Sequence, residues 1–71
     1  MKSPRPTDPI DILRTALEKE TAARDFYGDL AGRCHVDFVQ ELLYRLHNEE
    51  EKHVDLIRKM LARLDAGRDP V

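Results

Sequence analysis

The sequence predicts an all-α protein: a two-helix antiparallel hairpin that dimerises into a four-helix bundle. Two long segments carry apolar residues every three or four positions, the spacing of one face of an α-helix. Only a short turn separates the segments, so the helices must run antiparallel. The seams consist of Leu13, Ala16, Leu17, Ala23, Tyr27 and Leu30, and of Leu43, Leu46, Ile57, Met60 and Leu64. No segment shows the alternating pattern of a strand, which leaves helix packing as the source of the core.

The first helix is predicted to begin at Pro9, behind a flexible N-terminal arm of residues 1–8. Asp8 can accept hydrogen bonds from free backbone N–H groups of the first turn, and proline suits the first helical position. No strong helix breaker follows until about Ala31. Gly32 is then the residue type that commonly ends a helix in a left-handed conformation, so the sequence predicts a glycine cap there.

The second helix is predicted to follow a short turn over residues 33–36, with Asp37 as its cap. It runs to about Asp65, where an Ala-Gly pair and a later proline stop it. The two helices form one hairpin domain over residues 9–65, followed by a flexible C-terminal tail of residues 66–71.

Length, charge and cysteine content narrow the function classes. A chain of 71 residues with a formal net charge of −2 has no basic stripe for nucleic acid. No apolar run approaches the roughly 18 residues that span a bilayer, so no membrane partner is expected. The single cysteine, Cys34, cannot form an internal disulfide, which fits a cytoplasmic protein. A chain this short seldom holds a sufficient core by itself, so a bound metal, a partner or both are expected.

Three side chains of metal-ligand type interrupt the apolar seams. Glu20 takes a position in the first seam, and Glu50 and His53 take positions one turn apart in the second. A charged group where a leucine belongs must be paired, because burial of an unpaired charge is very costly. At a rise of 1.5 Å per residue, Glu20 lies about 18 Å from the turn and Glu50 about 21 Å. The hairpin therefore brings the three residues to one level, and a metal site is predicted.

A second copy of the chain is predicted to complete this site. One hairpin leaves both seams half exposed, whereas a symmetric pair of hairpins closes a four-helix bundle. The homodimer then supplies four glutamates and two histidines to one cavity, and two divalent cations balance their charge. One glutamate from each of two helices, with a Glu-x-x-His pair from each of the others, is a di-iron carboxylate pattern. Oxygen-rich ligation of this kind favours iron or manganese over structural zinc, with zinc kept as an alternative.

The residues around these positions resemble the rubrerythrin and ferritin-like family. The first match covers residues 16–27, with Glu20 in the ligand position, and the second covers residues 48–53, which hold the Glu-x-x-His pair. With the spacing between them, the resemblance extends over roughly residues 10–64. The chain carries the motif once, so it is similar to the encapsulated ferritins, whose short chains build a di-iron site across a subunit interface.

The resemblance implies a ferritin-like bundle that acts as a ferroxidase, oxidising Fe(II) with oxygen or peroxide at a di-iron site with two irons per dimer. It implies that Glu20 and Glu50 are terminal and bridging carboxylates and that His53 is the imidazole ligand. The resemblance also suggests a higher even oligomer as the assembly and an encapsulin shell as a partner. The C-terminal tail, however, does not look like a shell-targeting peptide. Cys34 alone cannot build the four-cysteine iron centre of rubrerythrin, which argues against electron-fed peroxidase activity.

Two other functions stay open. A structural or regulatory dimer module could use the same glutamates and histidine to hold a metal, or only to hydrogen-bond, and so fix pairing. Peroxide or oxygen scavenging without iron storage is the other alternative.

The residues next to the predicted ligands are expected to support the site or face solvent. Tyr27 is expected to bond a ligating carboxylate through its hydroxyl or to pack as a core aromatic. His47 is expected to line the edge of the core or face solvent. Glu49 and Glu51 should flank the seam in water, with an entry route for ions as a second role for Glu49.

Overall fold

Two long helices make up the described part of the protein. The computed structural model describes residues 7–68, in which α1 spans Pro9–Arg33 and α2 spans Asp37–Arg68. Residues 34–36 join the helices, which pack against each other as an antiparallel hairpin. Residues 7–68 contain no strand. The predicted all-α hairpin is confirmed, while its dimerisation stays a prediction.

The start of α1 follows from its capping residues. Asp8 has an extended backbone, and its Oδ1 accepts a hydrogen bond from the Ile10 N–H at 2.8 Å. Pro9 lies in the first turn, where its missing N–H removes no helical hydrogen bond. Asp11 adds negative charge at the positive end of the helix dipole. The predicted N-terminal cap is confirmed.

The end of α1 differs from the prediction. The helix continues through Gly32 to Arg33, and Cys34 caps it in an extended conformation. No glycine in the described residues has a positive φ, so the predicted glycine cap is wrong. The carbonyl of Ala31 instead accepts hydrogen bonds from the Cys34 N–H at 3.4 Å and from the Gln40 side-chain amide at 2.7 Å. Because α2 supplies this second donor, the end of α1 needs no left-handed residue.

The start of α2 is shifted by one residue from the prediction. Asp37 is already helical, and the carbonyl of Val36 accepts hydrogen bonds from the N–H groups of Val39 at 3.1 Å and Gln40 at 2.9 Å. Val36 therefore occupies the cap position predicted for Asp37. The carboxylate of Asp37 lies in the first turn, where its charge still favours the helix dipole.

The end of α2 lies beyond the predicted stop at Asp65. The helix continues through Gly67 to Arg68, because a glycine with an ordinary helical φ weakens a helix without ending it. The predicted tail therefore begins with helical residues. Its last part, residues 69–71, and residues 1–6 of the predicted arm lie outside the described part of the chain.

The hairpin has a small core. Among the described residues, the buried apolar side chains are Ile10, Ala31 and Val54. The residues of the two predicted seams are half-buried, apart from Met60, which is exposed. Two helices share only a single line of contact, so each seam has one side covered and one side in solvent.

One side of the hairpin exposes large apolar side chains. In each helix they recur at intervals of four or fourteen residues, which return to nearly the same side of an α-helix. We call this surface the open face and define it by Ile12, Phe26, Phe38, Leu42, Leu56 and Met60. Neither helix, within residues 7–68, is apolar enough over a sufficient length to cross a membrane. Exposed apolar residues grouped on one side of a small protein are typical of an interaction surface.

Candidate metal centre

The three residues predicted as ligands come together in the structure. Glu20 lies on α1, and Glu50 and His53 lie on successive turns of α2. One ligand atom from each side chain lies within 4.8 Å of the other two. The three-residue spacing on one helix holds Glu50 beside His53, whereas the register of the hairpin brings Glu20 opposite them. The residues are therefore arranged as a metal site requires, from two separate helices.

His53 directs one ring nitrogen at both carboxylates. Its Nδ1 lies 2.7 Å from Oε1 of Glu20 and 3.2 Å from Oε1 of Glu50. A protonated ring nitrogen donates to carboxylate oxygens at these distances. A cation placed among the three atoms would use the lone pair that this proton occupies. The three atoms that share a proton would therefore also surround a cation bound among them.

The cluster lies at the border between the helix contact and the open face. The side chain of Glu50 is 20% exposed and that of Glu20 is 32% exposed, whereas His53 is 49% exposed. His53 precedes Leu56 by three residues and Met60 by seven, so it lies on the open-face side of α2. The accessible side of the cluster therefore faces the same direction as the exposed apolar residues.

Hydrogen bonding within the cluster shifts two pKa values. The pKa of Glu20 is lowered, first by hydrogen bonding with the Glu50 carboxyl and then by the hydrogen bond from His53. The pKa of His53 is raised, first by its hydrogen bond to Glu20 and then by that to Glu50. Partial desolvation opposes both shifts. Without metal, the cluster therefore favours an imidazolium next to a carboxylate.

The metal-free protein is expected to lose stability as the pH rises above about 6.5. The raised pKa of His53 contributes stability below the ordinary imidazole value of 6.5, and this contribution disappears as the pH passes the raised pKa. The lowered pKa of Glu20 contributes above the ordinary carboxyl value of 4.5 and is lost on acidification. The contribution of the cluster is therefore greatest between these two values.

Chemical denaturation of the metal-free wild type and of His53→Gln, over the same pH series, measures this contribution. Glutamine has no proton to lose in this range, so the free energy of unfolding of the His53→Gln variant should fall less than that of wild type as the pH rises above about 6.5. Parallel curves for the two proteins would show that the His53 interactions contribute no stability.

Tyr27 lies two helical turns along α1 from Glu20. It is half-buried, and its ring meets that of Phe26 edge-on with the ring centroids 5.5 Å apart. Within residues 7–68 of one chain, the Tyr27 hydroxyl bonds neither Glu20 nor Glu50. The predicted bond would reach a ligating carboxylate across the four-helix bundle, so it stays a prediction.

His47 and Glu49 lie outside the cluster. Nδ1 of His47 lies 2.9 Å from the backbone oxygen of Arg24, at the edge of the helix contact. Glu49 is exposed. The side chains that converge in one chain are therefore those of Glu20, Glu50 and His53.

The sequence predicts that Glu51 is solvated, but the structure gives its carboxylate a partner on α1. Its side chain is 48% exposed, but Oε1 accepts a hydrogen bond from Arg24 at 2.8 Å across the helix contact. Arg24 also bonds Asp25, at 3.0 Å. The sequence analysis missed this pair because it left Arg24 out of the first seam, whereas a long arginine side chain can reach the neighbouring helix from beside the seam. The only signal was an arginine one turn after Glu20 and a glutamate next to Glu50.

Fold and site together define a class of protein. A helical hairpin that gathers two glutamates and a histidine has the architecture expected of one half of a ferritin-like bundle with a carboxylate-rich metal centre. The family model described as Rubrerythrin matches residues 11–71, and the chain belongs to the rubrerythrin family. The predicted resemblance is confirmed, and membership supports a di-iron, metal-binding protein. No curated protein and no solved structure gives a significant match to the chain.

Proposed function

We propose that the protein is a di-iron ferroxidase, which oxidises Fe(II) with oxygen or peroxide at a site shared by two chains of a homodimer. The observation that carries this proposal is the convergence of Glu20, Glu50 and His53, whose ligand atoms lie within 4.8 Å of one another. Membership in the rubrerythrin family supports the di-iron centre. We propose these three residues as the metal ligands.

The exposed surface around the cluster supports a second chain as the partner. Phe38 is 77% exposed and Leu56 is 56% exposed on the open face, and monomeric proteins rarely expose large apolar patches. The cluster borders the same surface, and three protein ligands leave an iron with open positions. A second copy with two-fold symmetry would cover the apolar residues and bring an identical set of ligands to the first.

Charge balance supports two metal ions in the dimer. Two copies of the cluster hold four carboxylates and two imidazoles, and four negative charges in one cavity repel each other. Two divalent cations bring the formal charge of these groups to zero. Oxygen donors with one imidazole per metal suit iron or manganese, whereas structural zinc favours thiolates and a closed tetrahedron. Iron is therefore the proposed metal, with manganese and zinc as the alternatives.

In the proposed reaction each Fe(II) loses one electron and becomes Fe(III). Two irons supply two electrons, which with two protons reduce oxygen to hydrogen peroxide, or reduce hydrogen peroxide to two water molecules. Glu20 would hold iron as a terminal carboxylate and Glu50 as a bridging one, the roles that the resemblance to the family implies. His53 gives up its Nδ1 proton when metal binds and then acts as a neutral ligand.

Anaerobic addition of Fe(II) to the metal-free protein should load about one iron per chain and raise the melting temperature. A ligand that binds only the folded state stabilises it by about 2.7 kcal/mol when its free concentration is a hundred times its Kd. Metal analysis of the loaded protein gives the ratio, and thermal denaturation at fixed protein concentration gives the shift. Mn(II) serves as a parallel probe that does not oxidise under these conditions.

Other outcomes would support the alternative functions. If no divalent ion well above micromolar concentration shifts the melting temperature, the cluster acts through hydrogen bonds, as in a structural dimer module. Zinc retained through native purification at a fixed ratio would indicate a metal-stabilised regulatory module. Consumption of peroxide without net accumulation of Fe(III) would indicate scavenging.

A further inference from the structure

A second set of contacts joins the helices one turn away from the metal cluster. Nδ1 of His47 lies 2.9 Å from the backbone oxygen of Arg24. A carbonyl oxygen only accepts hydrogen bonds, so His47 must donate through a protonated Nδ1. Arg24 follows Glu20 by four residues, and His47 precedes Glu50 by three. The bond therefore ties the turn after Glu20 to the turn before Glu50.

The fit of His47 depends on a glycine in α1. A Cβ atom built at Gly28 would lie 3.1 Å from Nδ1 and 3.4 Å from Cε1 of the His47 ring. Few Cβ contacts in proteins are as short as 3.1 Å, so a side chain at this position would require the His47 ring, which is bonded to the Arg24 carbonyl, to shift by a few tenths of an ångström. At Gly32, the other glycine of α1, a Cβ would meet no atom within 4 Å. Gly28 thus leaves space that the His47 ring occupies, whereas no atom of the described residues packs over Gly32.

The guanidinium of Arg24 adds an anchor at the same level. Its Nη1 donates to Glu51 at 2.8 Å, while its backbone oxygen accepts from His47. Two side chains of α2 thus hold Arg24: Glu51 bonds its guanidinium and His47 bonds its backbone oxygen. This backbone oxygen moves only when the helix itself moves. A side-chain pair alone could follow a small slip of the helices, but a bond to a helical carbonyl cannot.

We propose that His47, seated against Gly28 and bonded to the backbone of Arg24, is a positioning residue that sets the register of the two helices and so places Glu20 opposite Glu50 and His53. This inference rests on the proposed metal function, since it concerns the same site. A slip of one residue along a helix is 1.5 Å, which is several times the tolerance of a metal–ligand distance. His47 binds no metal itself; it acts through the helix position.

The two glycines provide a matched test of stability in the metal-free protein. Gly32→Ala should raise the melting temperature by a few degrees, because alanine favours a helix more than glycine. Gly28→Ala makes the same change in the same helix, yet it should lower the melting temperature, because its methyl group displaces His47. In the double variant Gly28→Ala/His47→Ala the clash is gone, so its melting temperature should exceed that of Gly28→Ala alone. Equal gains from both glycine substitutions would overturn the packing role of Gly28.

Metal affinity is the quantity that distinguishes a positioning role from a purely structural one, because a purely structural role of His47 would leave it unchanged. Binding of Co(II), followed by its visible absorption, should weaken about tenfold in His47→Ala and in Gly28→Ala, at the lower end of losses seen when support of a ligand is removed. His47→Asn should recover most of the affinity, because an amide nitrogen can donate from the place of Nδ1. Gly32→Ala should bind as wild type does. Unchanged affinity in His47→Ala, despite a lowered melting temperature, would overturn the positioning role.

A measurement without metal separates failure of this inference from failure of the proposed function. In the metal-free protein, the ¹⁵N signal of His53 Nδ1 reports its hydrogen bond to Glu20, which is 2.7 Å long. His47→Ala should shift this signal toward that of a solvated imidazole, and His47→Asn should restore it. If wild type binds no metal but the signal shifts as expected, the ferroxidase proposal fails and the positioning role stands. If the signal does not move, the positioning role is wrong whatever the metal result.

Discussion

Replacement of His53 with alanine should reduce Fe(II) oxidation to the rate of buffer alone. In a symmetric dimer the change removes two ligands from one site, together with the nitrogen that lies 2.7 Å from Glu20 in the metal-free protein. Glu20→Ala should have the same effect, since it removes two of the four carboxylates that offset the metal charge. Absorbance of Fe(III) and consumption of oxygen, recorded together in air, measure the rate.

Two exposed residues of the same types serve as controls. His35→Ala removes a histidine from the exposed turn, and Glu18→Ala removes an exposed glutamate two residues before Glu20. Both should keep the wild-type rate. Glu51→Ala is less suitable, because it breaks the hydrogen bond to Arg24, although an exposed pair of this kind contributes little to stability. The catalytic assignment is wrong if wild type oxidises iron no faster than buffer, or if the His35 and His53 variants behave alike.

Replacement of Leu56 with glutamate should dissociate the protein into monomers and abolish the shared site. Leu56 is 56% exposed on the open face, so a glutamate there costs an isolated hairpin little. In a dimer the same carboxylate would be buried against an apolar partner, and an unpaired buried charge is very unfavourable. Light scattering and native mass should show a dimer or an even multiple for wild type and a monomer for the variant, which should also lose rapid iron oxidation.

A tyrosine on the other flank of α2 offers the matched control. Tyr44 is 49% exposed and precedes Glu51 by seven residues, which places it on the flank of the Arg24 contact and away from the open face. Tyr44→Glu should therefore leave the oligomeric state unchanged. A wild-type chain that is well folded and monomeric at micromolar concentration would contradict the shared site, as would dissociation by both substitutions.

The helices of this protein were predictable because their signals are local. The three-and-four spacing of apolar residues and the Asp8-Pro9 start act within one or two turns of chain, and both predictions are confirmed. The ends next to the turn were less predictable. Gly32 has the residue type of a helix cap, but the amide of Gln40 on α2 satisfies the carbonyl of Ala31 instead. A donor from another helix has no signature in the sequence around Gly32.

The candidate site was predictable for a related reason. Glu50 and His53 are held together by the geometry of one helix, and both stand where leucines are expected. The position of Glu20 required only that a short turn fold the helices back, with an uncertainty smaller than one turn. The structure places one ligand-type atom from each of the three within 4.8 Å of the others, so the sequence pattern was sufficient to predict that they converge. That the three residues bind metal stays a prediction.

The sequence by itself determined two amphipathic helices, their antiparallel order and the residue types of a carboxylate–histidine cluster, because these depend on helical periodicity and on a short turn. Only the tertiary structure decided the register, in which the His47 ring lies against Gly28 and bonds the Arg24 carbonyl. A backbone oxygen is present at every position, and the space above a glycine depends on what packs there. Such contacts have no pattern in a sequence, since they exist only where two helix surfaces meet.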